Sequence, residues 1–159
     1  MKTIPRQIAD KQLIRVCSPD CSSHSSCNQE GKRPVSSSQN IRPISEIKNW
    51  VNSNGNYGVV PQSNDNLVIV DCDDTNFAKI VRQKAPDTFT VQTGSGGYHF
   101  YFKTGDAKNQ SISISGGSEL GSIRWDNWHC VAPGSVHPTG DKYSVVSDIE
   151  IADISSHTI

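Results

Sequence analysis

Two acidic residues at the end of an apolar run are the first candidates for chemistry. In LVIVDCDD, residues 67–74, four apolar residues lead into an alternating Asp-Cys-Asp, which is typical of a buried strand that ends at an acidic edge. Because side chains alternate along a strand, Asp71 and Asp73 face one way, while Val70 and Cys72 face the other. Adjacent carboxylates repel, and a divalent cation relieves the repulsion. The pair predicts a metal site, and a strand end before an Asx-capped helix is the alternative.

A glycine-rich turn followed by a histidine is the second candidate. In TGSGGYHFYF, residues 93–102, three glycines suit a tight turn into a strand. Strand alternation places Tyr98 and Phe100 on one face and His99 on the other. A glycine turn, a histidine and a nearby acid pair together indicate a site for a metal-bound phosphate.

A loop rich in proline and glycine, VAPGSVHPTG at residues 131–140, is the third candidate. Its hydroxyl at Ser135, its imidazole at His137 and its backbone N–H groups could converge on an anion. A structural turn is the alternative for this segment.

Residues 17–34 contain a cluster of metal-ligand side chains. Cys17, Cys21, His24 and Cys27 lie within eleven residues, at spacings that zinc sites use, in a segment with almost nothing apolar to fold around. We predict zinc here, and a mobile serine-rich loop is the alternative. Elemental analysis should find about one zinc per chain, lost in a Cys21→Ala/Cys27→Ala double variant. Folded protein that never contained zinc would favour the mobile loop.

Composition sets the outer limits. The chain has 159 residues, 34% of them hydrophobic, which suits one domain over residues 1–159 with a modest core. Its net charge of −1 gives no overall signature of polyanion binding. No apolar stretch approaches the length of a membrane span, and the N-terminal segment lacks the apolar region of a signal peptide. We therefore expect a cytoplasmic protein with no membrane partner.

Hydrophobic periodicity predicts helices and strands in mixed order. We predict helices at 3–12, at 45–54 and at 75–84, the last with Phe77, Ile80 and Val81 facing inward. The predicted strands are 13–16, 57–60, 67–74, 89–91, 98–102, 112–114, 123–125, 128–131 and 143–146. Trp125, Trp128 and His129 are interpreted as packed strand residues. The expected fold is α+β, with a mixed, largely antiparallel central sheet flanked by helices.

Several ordered blocks together resemble one known family. LVIVDCDD, GSGGYHFYF and IRWDNWHCVAPGSVHPTGDKY, in this order and at these separations, are similar to the primase/polymerase (prim-pol) domain of the archaeo-eukaryotic primase superfamily. That domain is found in plasmid, phage and archaeal replication proteins. The likeness extends to GKRP, the Trp50 helix and NYGVVP, and it covers most of residues 13–146. It implies a primase/polymerase-like catalytic core that performs template-directed nucleotidyl transfer.

The resemblance also implies ligands and partners. Asp71 and Asp73 would bind Mg²⁺ or Mn²⁺, and His99 would bind the phosphates of the incoming nucleoside triphosphate. The other residues expected to position or neutralise the triphosphate are Lys103, Arg124, Ser135 and His137. The expected partners are nucleoside triphosphates, a DNA template and primer, and a helicase or a helical primer-binding domain in a larger protein.

The chain departs from the family pattern at one position. The family's third metal-binding acid falls on Ser122, two residues before Arg124, and Glu119 can replace it only if the strand bulges. Asp126, beyond the end of the strand, is a further candidate. Three function classes stay open: a DNA primase/polymerase, a catalytically weakened nucleotide- or DNA-binding module, and a metal-dependent nuclease or phosphodiesterase.

Overall fold

The structure is a computed structural model, and it describes residues 2–20, 31–32, 34–35, 41–155 and 157–158. Two α-helices and ten β-strands form in these parts of the chain. The helices are α1 (Ile44–Asn52) and α2 (Thr75–Lys84). The strands are β1 (Leu13–Val16), β2 (Asn56–Val59), β3 (Leu67–Cys72), β4 (Thr90–Gln92), β5 (Tyr98–Lys103), β6 (Gln110–Ser113), β7 (Glu119–Arg124), β8 (Cys130–Val131), β9 (Ser144–Ser147) and β10 (Ala152–Asp153).

The strands form two sheets. The larger sheet has the strand order β6-β7-β3-β5-β4-β9, and β10 pairs with β5 at its side. The smaller sheet has the order β1-β2-β8. Every pair is antiparallel except β10 with β5. The predicted α+β class with a mixed, largely antiparallel sheet is confirmed.

Strand β3 lies at the centre of the larger sheet and separates two apolar cores. All six of its residues are buried, because β5 and β7 flank it and each of its faces is covered. Leu67 and Ile69 face the first core, which lies against the smaller sheet and α1. Val68 and Val70 face the second core, which lies against α2. Since the parity continues, Asp71 faces the side of the smaller sheet.

Helix α2 has the predicted bounds. The Asp74 side chain caps it by accepting hydrogen bonds from the backbone N–H groups of Asn76 (2.9 Å) and Phe77 (2.8 Å). Ala78 and Val81 are the buried residues of the helix, and Phe77 packs beside them. The inward orientation predicted for Ile80 is wrong, because Ala78 and Val81 take the contact with the sheet and leave Ile80 53% exposed.

Two further predictions need correction. The helix predicted at 3–12 does not form; residues 6–10 are turns with short-range bonds such as Ile8 N–H to Pro5 C=O (3.2 Å). A segment this short gains little from helical hydrogen bonds, and Ile8 is instead drawn into the first core. Trp128 lies outside β8 and is 40% exposed, whereas Trp125 is buried as predicted.

Among the described residues, no helix has the length and apolar character that crossing a bilayer requires.

Candidate active site

A cavity of about 240 Å³ opens between the two sheets at the acidic end of β3. Strands β3, β5 and β7 of the larger sheet line one side, and β8 of the smaller sheet lines the other. The charged or polar lining residues include Lys32, Asp71, Asp73, His99, Arg124, His129, Cys130 and Tyr143. The structure thus brings the predicted acid pair, histidine and arginine into one place.

Asp71 is the buried acid of this cavity. Its neighbours in register are His99 on β5 and Ser122 on β7, and its carboxylate lies 3.3 Å from His99 Nε2 and 3.0 Å from Arg124 Nη2. Burial alone would raise the pKa of Asp71, but His99 and Arg124 outweigh it and hold the pKa at about 2. Asp71 is therefore an anion that this fold stabilises without a metal.

Arg124 is fixed from several sides. Its Nη2 binds Asp71, its Nε donates to Ser122 Oγ (2.9 Å) and its Nη1 donates to the His129 carbonyl (3.3 Å). The guanidinium also lies 5.8 Å from the centre of the Trp128 ring. Because these contacts use both edges of the planar group, Arg124 presents a rigid positive charge to the cavity.

Asp73 stands at the rim beyond the end of β3 and is exposed. Partial burial of its carboxylate raises its pKa, and the neighbouring Asp71 charge raises it further. Asp73 differs from Asp71 in its electrostatic setting: the positive charges of Lys32, His99 and Arg124 act on it too, but burial and the Asp71 charge outweigh them. Two carboxylates, one of them short of a counter-charge, fit a hard divalent cation, which prefers oxygen ligands.

We expect Asp73→Asn to raise the melting temperature slightly, by about 1–2 °C, in metal-free buffer at neutral pH. The raised pKa means that the fold disfavours the charged carboxylate, so removing the charge relieves it. The gain should vanish as the pH falls below the ordinary pKa of aspartate, where the native side chain is protonated too. Thermal unfolding with a chelator at pH 7 and pH 3 checks this, and a lower melting temperature at pH 7 would contradict it.

Ser122, where the sequence resemblance led us to expect a third acid, is buried and accepts the hydrogen bond from Arg124. The bulge that Glu119 would need is present, because Ser113 pairs with Glu119 while the preceding Ile112 pairs with Gly121. Glu119 is exposed, however, and does not line the cavity. Asp126 lies beyond the opposite end of β7, where it accepts from the Ser63 N–H.

His99, Tyr143 and His137 form a row of rings. The Tyr143 ring centre lies 5.8 Å from that of His99 and 5.9 Å from that of His137. His99 Nδ1 and His137 Nε2 are buried without a hydrogen-bond partner among the described residues. Burial also lowers the pKa of His137. His137 can pack against the turn at Gly94 only because glycine has no side chain: a Cβ at Gly94 would lie 2.2 Å from the Cβ of His137.

Three predicted triphosphate contacts do not line the cavity: His137, whose ring lies against Tyr143, and also Ser135 and Lys103. The Ser135 hydroxyl is buried and used by β2: it accepts from the Tyr57 N–H (3.1 Å) and donates to the Tyr57 carbonyl (3.3 Å). Lys103 is exposed and pairs with Leu67, about 13 Å along β5 from His99. The structure does not bring any of the three side chains into the cavity.

Three contributors were given little weight or none by sequence reasoning. Lys32, in the basic GKRP turn, reaches the rim and its charge acts on Asp73. His129, predicted as a packed strand residue, precedes β8, lines the cavity and pairs through Nε2 with the Lys32 carbonyl (3.1 Å). Asn56, on β2, is fully buried. Its side chain bonds to Val136 N–H (2.8 Å) and C=O (2.7 Å) and to the Gly31 carbonyl (3.2 Å), so it connects the segments around Gly31 and Val136 to β2.

Of the predicted zinc ligands, the structure describes Cys17, which is buried just after β1 and whose carbonyl accepts from Asn56 Nδ2 (3.4 Å). Cys21, His24 and Cys27 lie outside the described residues. A zinc loop at residues 17–34 therefore stays a prediction.

Comparison with known proteins identifies the family. Residues 12–156 match the family described as bifunctional DNA primase/polymerase, N-terminal (Prim-Pol). No curated protein matches the chain. The match runs from the residue before β1 to beyond β10, so it includes both sheets and every side chain of the cavity. Because it covers nearly the whole chain, this protein belongs to the Prim-Pol family of DNA primase/polymerase domains.

Proposed function

We propose that this domain catalyses template-directed transfer of nucleotides from nucleoside triphosphates to a DNA primer. The observation that supports this most is the cavity between the sheets, where the acids Asp71 and Asp73 lie beside Arg124, His99 and Lys32. Phosphoryl transfer needs negative ligands for a metal next to positive groups for the phosphates, and this cavity offers both.

Asp71 and Asp73 are the proposed metal ligands. A divalent cation bound to them would stabilise the charge that develops on the attacking and leaving oxygens. In the reaction, the primer 3′-hydroxyl gives its proton to solvent and bonds to the α-phosphate, and the bond between the α-phosphate and the leaving pyrophosphate breaks. Arg124 already neutralises part of the Asp71 charge, and Ser122 supplies no carboxylate, so we propose one strong metal position and a weak second one.

The positive side of the cavity is the proposed triphosphate site. Arg124 is held by three hydrogen bonds, and it offers the phosphate oxygens its positive charge and the N–H groups that those bonds leave over. Lys32 is exposed at the rim and free to follow the phosphates. His99 uses Nε2 towards Asp71, and its Nδ1, which has no hydrogen-bond partner in the described structure, is the atom proposed to face the phosphates. His137 stands behind Tyr143, and we propose that it supports that ring.

A second candidate is a nucleotide- or DNA-binding module with weakened catalysis. The contact that favours it is the ion pair of Arg124 with Asp71, because a cation already fills part of the place where a metal should bind. Such a module would still bind the triphosphate but would catalyse nucleotide transfer slowly or not at all. A nuclease remains as the third class, but it would give no reason for the glycine-rich turn that precedes His99.

One assay separates the three classes. Labelled deoxynucleotides are incubated with the protein, a primed template and Mn²⁺. Extension of the primer supports the polymerase, nucleotide binding without extension supports the weakened module, and shortening of the DNA supports the nuclease. An Asp71→Asn sample in parallel shows whether each signal comes from this cavity.

Ser122→Asp tests the weak metal position. The new carboxylate would stand beside Asp71 across β3 and β7, so we expect tighter Mn²⁺ binding and at least about tenfold faster extension. Calorimetric Mn²⁺ titration and single-nucleotide extension measure the two effects.

Glu119→Gln is the matched control. If Glu119 reaches the metal across the observed bulge, its loss should impair extension as strongly as loss of Asp71, and Ser122→Asp should then add nothing. If neither variant changes Mn²⁺ affinity or extension, the two-metal scheme is wrong for this chain.

We also propose the wider setting that the family suggests: replication of a plasmid, phage or archaeal replicon in the cytoplasm, together with a helicase or a helical primer-binding domain. Pull-down of candidate helicases with the tagged domain, and its ability to start strands without a primer, would test this setting.

A further inference from the structure

A donor group of three different chemical types lies at the back of the cavity. One ligand atom each from Asp71, His99 and Cys130 falls within 4.8 Å of the others, and all three residues are buried. A carboxylate oxygen, an imidazole nitrogen and a thiol sulfur together suit zinc, whereas magnesium prefers an all-oxygen shell. Asp73 is not in this group, so this set of donors differs from the acid pair proposed for the catalytic cation.

The geometry is close to that of a tetrahedral zinc site. Asp71 Oδ1 and His99 Nε2 lie 3.3 Å apart, and tetrahedral zinc with ordinary bond lengths separates its ligand atoms by about 3.3–3.6 Å. The sulfur has to move inward by about an ångström at most to complete the triangle. Cys130 belongs to β8 of the smaller sheet, and Asp71 and His99 belong to the larger one, so an ion here would connect the two sheets.

We propose that Asp71, His99 and Cys130 form a site for a thiophilic divalent cation, zinc in the first place, that shares only Asp71 with the catalytic metal position. Binding displaces the thiol proton to solvent and leaves the fourth coordination position open. The ion uses Asp71, which the catalytic cation also needs, and it occupies the His99 nitrogen that faces Asp71. The inference of inhibition rests on the proposed function: zinc inhibits primer extension because it competes with the catalytic cation for Asp71.

Cadmium and cobalt report this site directly, because both give a thiolate charge-transfer absorption band when cysteine binds them. Titration of the full chain with Cd²⁺ or Co²⁺ should show a band component that is lost in Cys130→Ala and in Cys130→Ser. His99→Gln keeps every cysteine and should weaken that component at least about 100-fold in affinity. Competition with Zn²⁺ gives the zinc affinity.

Cys72→Ala is the matched control. Cys72 is also buried and follows Asp71 in sequence, but it faces the second core on the other side of β3. The variant should therefore keep the full absorption band. The cysteines of residues 17–27 are unchanged in all of these variants, so any absorption that they contribute is the same in each. A band that is unchanged by Cys130→Ser and His99→Gln overturns the proposal.

Inhibition is measured separately for each protein. The rate of primer extension with micromolar Zn²⁺ is divided by the rate without Zn²⁺, both in excess Mn²⁺. We expect the native chain to lose at least about tenfold in rate, Cys72→Ala to lose the same, and Cys130→Ser to lose much less. A ratio equal in native chain and Cys130→Ser overturns competition at Asp71. If the native chain shows no extension at all, the proposed function fails, while the absorption titration still decides the metal site.

Discussion

Asp71→Asn is expected to reduce primer extension by at least about 10³-fold. The change removes the buried carboxylate around which the cavity is built, and with it the strongest proposed ligand of the catalytic cation. Loss of one group that stabilises a charged transition state already costs 10²–10³ in rate, and a metal ligand contributes more. Single-turnover extension with Mn²⁺ and a labelled deoxynucleotide measures the effect. Retained extension would remove Asp71 from the active site.

Asp74→Asn is the matched control for this change. Asp74 is an acid three residues away, but its side chain caps α2 and does not line the cavity. Asparagine caps helices about as well as aspartate, so extension and stability should both stay near native. Equal loss of extension in Asp74→Asn would show that the assay responds to general negative charge at the end of β3, not to the cavity.

Asp71→Asn should also be less stable by about 2 kcal/mol at neutral pH, because His99 and Arg124 hold the Asp71 pKa near 2 in the fold, against an ordinary 3.8. A lowered pKa means that the charged form stabilises the fold. The difference between native and variant should therefore be complete above pH 4 and shrink as the pH falls towards 2. Urea unfolding at pH 7 and pH 3 measures this difference and shows that the variant still folds.

Gly121→Ala is expected to cost about 3 kcal/mol or more in stability. A Cβ at this position would lie 2.0 Å from the Asp71 carbonyl oxygen, a backbone atom in the centre of the sheet that cannot move aside. The φ angle of +155° adds strain for any residue but glycine. Relief requires β7 to withdraw from β3, which would also pull Arg124 away from Asp71. Extension should fall with stability.

The control for this substitution is Gly105→Ala. Nothing lies within 4 Å of a Cβ at Gly105, and its φ is not positive, so the unfolding midpoint should stay within about 0.5 kcal/mol of native. Denaturant titrations followed by circular dichroism compare the two. Similar stability for both variants would mean that β7 does not approach β3 as closely as the structure indicates.

Local patterns explain why much of the fold could be predicted. The apolar run into Asp71, the cap at Asp74 and the alternation around His99 depend on neighbours within a few residues, so periodicity alone located β3, α2 and β5. Prediction failed where distant contacts decide: Ile80 has helical periodicity, but Ala78 and Val81 are the residues of α2 that become buried against the sheet.

The sequence also explained only in part why glycine is needed at these positions. The turn before β5 was predicted from Gly94, Gly96 and Gly97, but only Gly96 has a positive φ. Gly97 is needed because a Cβ there would lie 2.3 Å from the Cys72 carbonyl oxygen. Together with Gly121 on the opposite side, it lets both neighbouring strands close on the end of β3. Close approach between strands is a tertiary property and leaves no local pattern.

The sequence by itself determined the family, the α+β class and the face on which Asp71 and His99 lie, because these follow from motifs and from the period of a strand. Only the tertiary structure decided which charges meet. Arg124 neutralises Asp71, Ser135 is used by the Tyr57 backbone, and Cys130 approaches from the other sheet. The physical reason is that each of these contacts joins strands or loops more than 30 residues apart, and their distances depend on how the strands and the two sheets pack.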